Sequence, residues 1–307
     1  MQKVEPYKIT DGVTQSLMST FTSCRQRCRY VLDGWEFPRS KSALIFGSYF
    51  HWLIEHHLTA VQAGKKLPSY QQLEEEWSKK NTPNDSDNPE MREQHMGMAF
   101  ALWDNYCKTW KHSDQKQKEW VGQEENFDEN FEGFRIRGRR DGLFRRKGKL
   151  WLFETKTASR IDESTLEEKL GFDFQNLFYL IATEIETGEK LAGIEYNIIR
   201  KPQIRIKKTE TTNEFNIRMQ EDVASRPEFY FYRASVTITE KRKRIFKKEL
   251  RDKLITFSRW LSGEYPTYRN ETACTGMWNC EFLSACSKLS LRGFMQTRKL
   301  FRELEDE

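Results

Sequence analysis

FRIRGRRDGLFRRKGKLWLFETK, residues 134–156, is the stretch whose reading decides the fold. Its first half alternates apolar and basic side chains. Its second half is a compact apolar run that closes on an acid and a lysine, and RRKGK between them has the composition of a turn. Alternation of period two marks a strand with one buried face, and a short apolar run bounded by turn residues marks a strand buried on both. The stretch therefore predicts strands of a meander joined by a tight turn. Side chains two apart on a strand share a face, so Glu154 and Lys156 point together, and the turn can bring Asp141 beside them.

Those three residues carry the chemistry. From Arg135 to Arg160 ten basic residues surround only two acids, Asp141 and Glu154. Two carboxylates in a basic surface form a hard-oxygen site suited to Mg²⁺ or Mn²⁺, with a substrate phosphate as a further ligand. Such a cation polarises a scissile phosphate and acidifies a bound water, while Lys156 can orient that water or neutralise developing charge. An isolated E-x-K is more often a surface ion pair, so the spacing alone does not decide.

Outward from this stretch, apolar residues recur at helical spacing over 14–63, with a break near Gly34 to Pro38, which predicts two helices. A second helical stretch, 70–112, is interrupted by the polar run NTPNDSDNPE, a loop by its Pro, Asn and Asp content. Helix resumes over 166–186, EYNIIRK reads as a further strand, and 209–261 is largely helical with a strand-like break at FYFYRASVTI. No repeat or long low-complexity segment occurs.

Four motifs stand in order around the acid pair: Gly47-x3-His51 in FGSYFHWLIE, Gly138-x2-Asp141 in GRRD, Glu154-Thr155-Lys156 in LFETK, and Gln175-x3-Tyr179 in FQNLFYL. In order and interval they resemble the RecB-like nucleases of the PD-(D/E)XK superfamily. The resemblance implies an α/β fold, a restriction-endonuclease-like mixed sheet flanked by helices, spanning 1–307 as one domain. Within it, 14–112 would be a helical arm, 115–208 the core sheet and helix, and 209–307 a helical part bearing a cysteine set. It also implies that His51, Asp141, Glu154 and the Thr155 backbone carbonyl bind metal. Lys156 would be catalytic, and Gln175 and Tyr179 would contact the DNA backbone or support the site. Arg140 stands where the superfamily's name has proline, a departure common among RecB-like members.

Six cysteines are present, at 24, 28, 107, 274, 280 and 286. Cys274-x5-Cys280-x5-Cys286 is too widely spaced for the usual zinc pair, and Cys24 or Cys28 can complete a set of four if the chain ends meet. The segment SLMSTFTSCRQRCRY resembles the N-terminal motif of an iron–sulfur branch of the same family, which includes the AddB nuclease domain and CRISPR-associated adaptation nucleases. That resemblance implies a [4Fe–4S] cluster on Cys24, Cys274, Cys280 and Cys286, clamping the two ends of the chain. The first gap is wider than the family's.

The formal charge of +5 supports nucleic-acid binding only weakly. The basic clusters say more. Arg139 and Arg140, and Arg200 and Lys201 within RKPQIRIKK, are candidate DNA contacts, as is KRKRIFKK at 241–248. Phe229 to Tyr232 and Trp278 are candidate stacking aromatics. No run approaches the roughly 20 apolar residues of a membrane span, and MQKVEPYKIT lacks the layout of a signal peptide, so a cytoplasmic location is expected. The resemblance implies an exonuclease acting on DNA ends, single-stranded ones favoured, with a helicase, recombination or replication partner. YNIIRKP and the overall length resemble phage-encoded nucleases. The rival readings are a structure-specific endonuclease or nickase and a noncatalytic DNA-binding subunit, which cleavage of a circular substrate and intact binding without cleavage would respectively reveal.

Overall fold

Two consecutive strands realise the 134–156 reading, and a third precedes them in the meander. The computed structural model describes residues 6–37, 42–81, 89–159, 163–275, 279–296, 300–301 and 304. Strands β1 (Val13–Thr14), β3 (Glu119–Phe131), β4 (Phe134–Arg146), β5 (Lys149–Ala158), β6 (Leu191–Arg200) and β7 (Phe231–Thr237) form one six-stranded sheet. Strands β2 (Trp35–Glu36) and β8 (Met295–Gln296) pair separately as an antiparallel ribbon. The two turns of the meander, Glu132-Gly133 and Lys147-Gly148, hold both central residues at positive φ, the hairpin geometry that matches the right-handed twist of the strands. The sheet is mixed: β3, β4 and β5 run antiparallel in turn, β6 joins β5 in parallel, and β7 returns antiparallel.

One irregularity of this sheet makes the site. Along one edge β4 pairs with β3 over nearly its whole length, skipping Asp141, but along the other it pairs with β1 at Ile136 and Arg137 and then with β5 only from Gly142 onward. Residues 138–141 have no strand partner on that second edge among the described residues, and β5 continues past Phe153 alone on its β4 side. Alternation is also interrupted here. Ile136 packs in the core beneath one face of the sheet, whereas Phe144, an even number of residues on, packs in the core on the other. The partner strand kinks at the same level, with Glu124 at φ 48.

Helices cover both faces. The first comprises α1 (Gln15–Ser23), α2 (Arg25–Leu32), α7 (Phe174–Thr187) and α10 (Glu240–Leu261), whose core includes Leu177, Ile181, Phe246, Leu254 and Trp260. The second comprises α3 (Ser42–Gln62), α4 (Tyr70–Lys80) and α5 (Pro89–His112), packed on Phe144 and Phe153 through Phe50, Leu53, Trp103 and Tyr106. Shorter helices α6 (Glu163–Leu170), α8 (Thr212–Ser225), α9 (Pro227–Tyr230) and α11 (Leu283–Lys288) complete the chain. No helix among the described residues is long and apolar enough to cross a membrane.

Three expectations change. The first predicted helix is two, because Cys24 takes an extended backbone (φ −159) between α1 and α2. The core sheet does not end at 208, since β7 completes it from within the C-terminal part. KRKRIFKK is not a uniform basic face: Lys243 is buried against Glu184 and the Leu191 carbonyl, and Phe246 is core. Trp278 lies outside the described residues, while Tyr230 and Phe231 are buried and Phe229 is exposed.

The two ends of the chain meet. The Asn270 amide donates to the Cys24 sulfur (3.4 Å), Arg27 pairs with Glu281 (2.9 Å), and the Tyr30 ring packs on Phe282 with centroids 5.1 Å apart. Cys28 is wholly buried in the core, and that burial pushes its thiol up to about 12. No three cysteine sulfurs among the described residues lie within 4.8 Å of one another, so the thiols are not gathered around a point as a single zinc ion requires.

Candidate metal centre

Asp141 sits in the notch where β4 and β5 part. Thr155 lies past the last β4–β5 pair, so its N–H would lack a ladder partner, and the Asp141 carboxylate takes it: Thr155 N donates to Asp141 Oδ2 at 2.6 Å. Glu154 and Lys156 project from β5 toward α7, as alternation requires. Lys156 Nζ donates to Glu154 Oε1 (2.6 Å) and to Gln175 Oε1 (3.0 Å), and Gln175 Nε2 donates to the same Glu154 oxygen (2.7 Å). Gln175 reaches the site because Asp173 caps α7, accepting from Asn176 N, and so fixes where its first turn begins.

His51 arrives from the opposite face, on α3, with Nδ1 3.6 Å from Asp141 Oδ2. A glycine permits this approach. A side chain at Gly47, one turn earlier, would press on Thr157 Oγ1 of β5 at 3.3 Å. Gly138 does similar work for the last motif: a Cβ there would lie 2.7 Å from Phe127 Cε1 and 3.0 Å from Tyr179 Cε1. Tyr179 is thus wedged edge-on against Phe127, with centroids 5.5 Å apart, beside the strand that carries Asp141.

The electrostatics follow from crowding largely buried acids in the notch. Glu154 is 1 % exposed, and burial, then the Asp141 charge, push it up to about 7 despite Lys156 and His51. Burial also raises Asp141, with Glu124 adding to the effect. Burial opposes the His51 imidazolium, yet Asp141 and then Glu124 outweigh it and lift His51 to about 9. Burial likewise works against Lys156, but the Glu154 and Asp141 charges keep it above its ordinary value and hence cationic.

These residues fit a hard divalent cation. His51, Glu124 and Asp141 offer ligand atoms that all lie within 4.8 Å of one another. Glu154 Oε2 is sealed from solvent with no hydrogen-bond partner, an expensive arrangement unless a cation faces it. Glu124 was not among the sequence candidates. Its signal is its place on β3, opposite Asp141, which register alone reveals: Gln123 pairs with Gly142 and Glu125 with Arg140.

A second group invisible to motif reading underlies the notch. Asp114 is wholly buried and receives Arg233 (2.5 Å) and Lys118 (3.1 Å), and Lys118 and Arg146 both reach Glu195. Asn197 links this network upward: it accepts from Arg233 Nε (3.0 Å) and donates to Thr155 Oγ1 (3.3 Å).

The proposed DNA contacts separate. Arg140 is 4 % exposed, its guanidinium bound by Glu125 and Glu186, which corrects the expectation that it faces DNA. Arg139 holds Glu124 Oε2 (2.9 Å) at the site. Arg200 and Lys201 line an open cleft of about 500 Å³ just past the ends of β5 and β6, together with Ser159, Arg226 and Phe229. Lys201 is half-buried, with its Nζ 4.9 Å from the centroid of the Phe46 ring, and desolvation lowers its pKa.

The family model of the PD-(D/E)XK nuclease superfamily matches residues 13–287. A crystal structure described as that of a candidate exonuclease from Eubacterium rectale aligns with a TM-score of 0.50 at 14% identity, covering 88% of this chain and 90% of that one. A second solved structure, of SSO0001, aligns at a TM-score of 0.30 and 12% identity over 81% and 78% of the two chains, too low a likeness to bear on the fold. No curated protein matches the chain.

Proposed function

The chain belongs to the PD-(D/E)XK nuclease superfamily, and from that premise we propose that it hydrolyses DNA phosphodiester bonds at the His51, Asp141, Glu154 and Lys156 centre, acting on DNA ends. The observation that carries this reading is the notch itself. A buried carboxylate with an unpartnered oxygen, Glu154, stands beside Asp141 and His51 with a cationic lysine bound to its other oxygen.

Asp141, Glu154, His51 and the Thr155 carbonyl would hold Mg²⁺ or Mn²⁺. A cation so held supplies Lewis acidity toward the phosphate and lowers the pKa of water. The chain's own residues do the rest. Lys156, fixed between Glu154 and Gln175, presents a proton-bearing Nζ that orients the attacking water or offsets charge gathering on the phosphate. Gln175 holds that lysine against Glu154, since its amide bridges the two. Tyr179 supports the notch through Phe127. Arg200 and Lys201, in the cleft next to the end of β5, would take the phosphates flanking the scissile one.

Action on ends, with single strands preferred, is supported by the resemblance of the motifs and by the description of the Eubacterium rectale structure. A [4Fe–4S] cluster on Cys24, Cys274, Cys280 and Cys286 forms part of the reading. It is supported by the meeting of the α1–α2 joint with the Asn270–Cys274 segment, and a cubane, bulkier than one ion, spreads its thiolates further. Iron and sulfide assay of anaerobically purified protein tests it. The nuclease reading is tested by end-labelled linear and circular single- and double-stranded DNA with Mg²⁺ or Mn²⁺. Mononucleotide release from linear DNA alone supports it, cutting of circles turns it toward an endonuclease, and binding without cleavage refutes it.

A further inference from the structure

We propose that the groove along the N-terminal half of α5, between α4 and α8, docks a short segment of a partner protein in which a large apolar side chain is flanked by lysines or arginines. This surface lies on the helical arm, and its role does not depend on the nuclease reading.

The groove is a cleft of about 950 Å³ floored by one face of α5. Met96 and Phe100 of that face meet Tyr70 of α4, Phe215 of α8 and Ile206 of the segment before α8. Gly97 sets one wall: a Cβ there would stand 3.1 Å from Asn216 Oδ1, so the missing side chain lets α8 close on α5. The Tyr70 and Phe100 rings pack edge-on with centroids 4.8 Å apart, yet Phe100 stays 43 % exposed and Ile206 48 %. An exposed apolar side chain is ordinary when it stands singly. Here such side chains from separate elements share one concavity, the form a peptide-docking groove takes.

Charge identifies the occupant. Glu74, Glu90 and Glu93 line the groove against a single cation, Arg92. Arg92 is engaged with α4, where it donates to the Asn81 carbonyl (2.7 Å) and covers the Trp77 ring at 4.9 Å. Burial, and then Glu75, raise the pKa of Glu74, the condition of a carboxylate short of a cation. In a chain of net charge +5 this concavity is locally acidic, so it repels a DNA backbone and attracts a basic segment. The helix from Pro89 to Phe100 runs for ~16 Å, which accommodates roughly five residues of extended chain. One apolar side chain between flanking cations fits that length. Ile204 lines the basic cleft that holds Arg200 and Lys201, and Ile206, two residues on, lines this groove. A docked partner would therefore be held beside the proposed path of the DNA.

Fluorescence anisotropy with labelled synthetic peptides of seven residues tests this. One peptide carries a Trp-Leu core with Lys and Arg flanks, a second the same core with Glu flanks, and a third the basic flanks on a Ser-Ser core. Wild type should bind the first at least about tenfold more tightly than either of the others, and more weakly as salt rises. Phe100→Ser, with its melting temperature checked against wild type, should lose about tenfold for the first peptide while binding a single-stranded oligonucleotide as before. Glu93→Lys should weaken the first peptide and strengthen the second, an inversion that damage to the fold does not produce. No binding of the first peptide, equal binding of all three, an unchanged affinity in Phe100→Ser, or displacement of the peptide by the oligonucleotide overturns the proposal. So does a wild-type dimer in sedimentation that Phe100→Ser dissolves, since a second copy of the chain would then cover the groove.

Discussion

Replacing Glu154 with glutamine should stabilise the metal-free protein while abolishing cleavage. Glu154 is buried beside Asp141 and titrates near 7 rather than its ordinary 4.5, so above pH 7 the folded protein carries an anion that the unfolded chain would hold more cheaply. At ~1.4 kcal/mol per decade the raised pKa corresponds to at most about 3 kcal/mol. Glutamine keeps an acceptor for Lys156 and Gln175 and lacks the charge, so about 1–3 kcal/mol is expected at pH 8. The sign is fixed by linkage. A carboxyl whose folded pKa is raised contributes stability below about 4.5 and loses it as pH rises through 7. The advantage of Glu154→Gln should therefore vanish near pH 4.5 and level off above 7. Thermal melts in chelator across that range read it, with about 2–4 °C expected per kcal/mol. Adding Mn²⁺ should shrink or reverse the difference, because wild type keeps the full ligand set and gains more of the roughly 2.7 kcal/mol of a ligand at a hundred times its Kd. A metal-free variant less stable than wild type at pH 8 would refute the crowded-acid account.

Other expectations follow from single contacts. Gly138→Ala should cost about 1–3 kcal/mol by forcing Phe127 and Tyr179 apart, and an unchanged melting temperature would show that no such packing exists. Asp114→Ala should cost about 3–5 kcal/mol in urea titration, since Arg233 and Lys118 would stay buried without it; a loss under about 1 kcal/mol would mean the network relaxes freely. Lys201→Ala should weaken DNA binding and shrink the salt slope by about one while leaving Mn²⁺ affinity alone; equal slopes would take Lys201 off the DNA path.

Much of this was legible in the sequence because it rests on local rules. Alternation and turn composition gave β4 and β5, and two-residue spacing put Glu154 and Lys156 on one face. Gln175 was legible only through motif resemblance, since nothing local says which strand α7 will cover. Glu124 was hidden because its role depends on register with β4 and on a kink that alternation cannot signal. Arg140 misled for a related reason: its neighbours in sequence are basic, but Glu125 and Glu186, which bury it, come from β3 and α7. The Asp114 network draws on residues more than a hundred positions apart and reads locally as ordinary surface charge.

The central claim is that the notch hydrolyses DNA with Lys156 as its proton-bearing group, and single-turnover cleavage of end-labelled linear DNA by Lys156→Ala tests it most directly. Because the Lys156 side chain is 42 % exposed, its removal should leave fold, Mn²⁺ binding and DNA affinity near wild type. The cleavage rate should fall by about a hundredfold or more. A variant that binds metal and DNA normally and cuts at the wild-type rate would contradict the account.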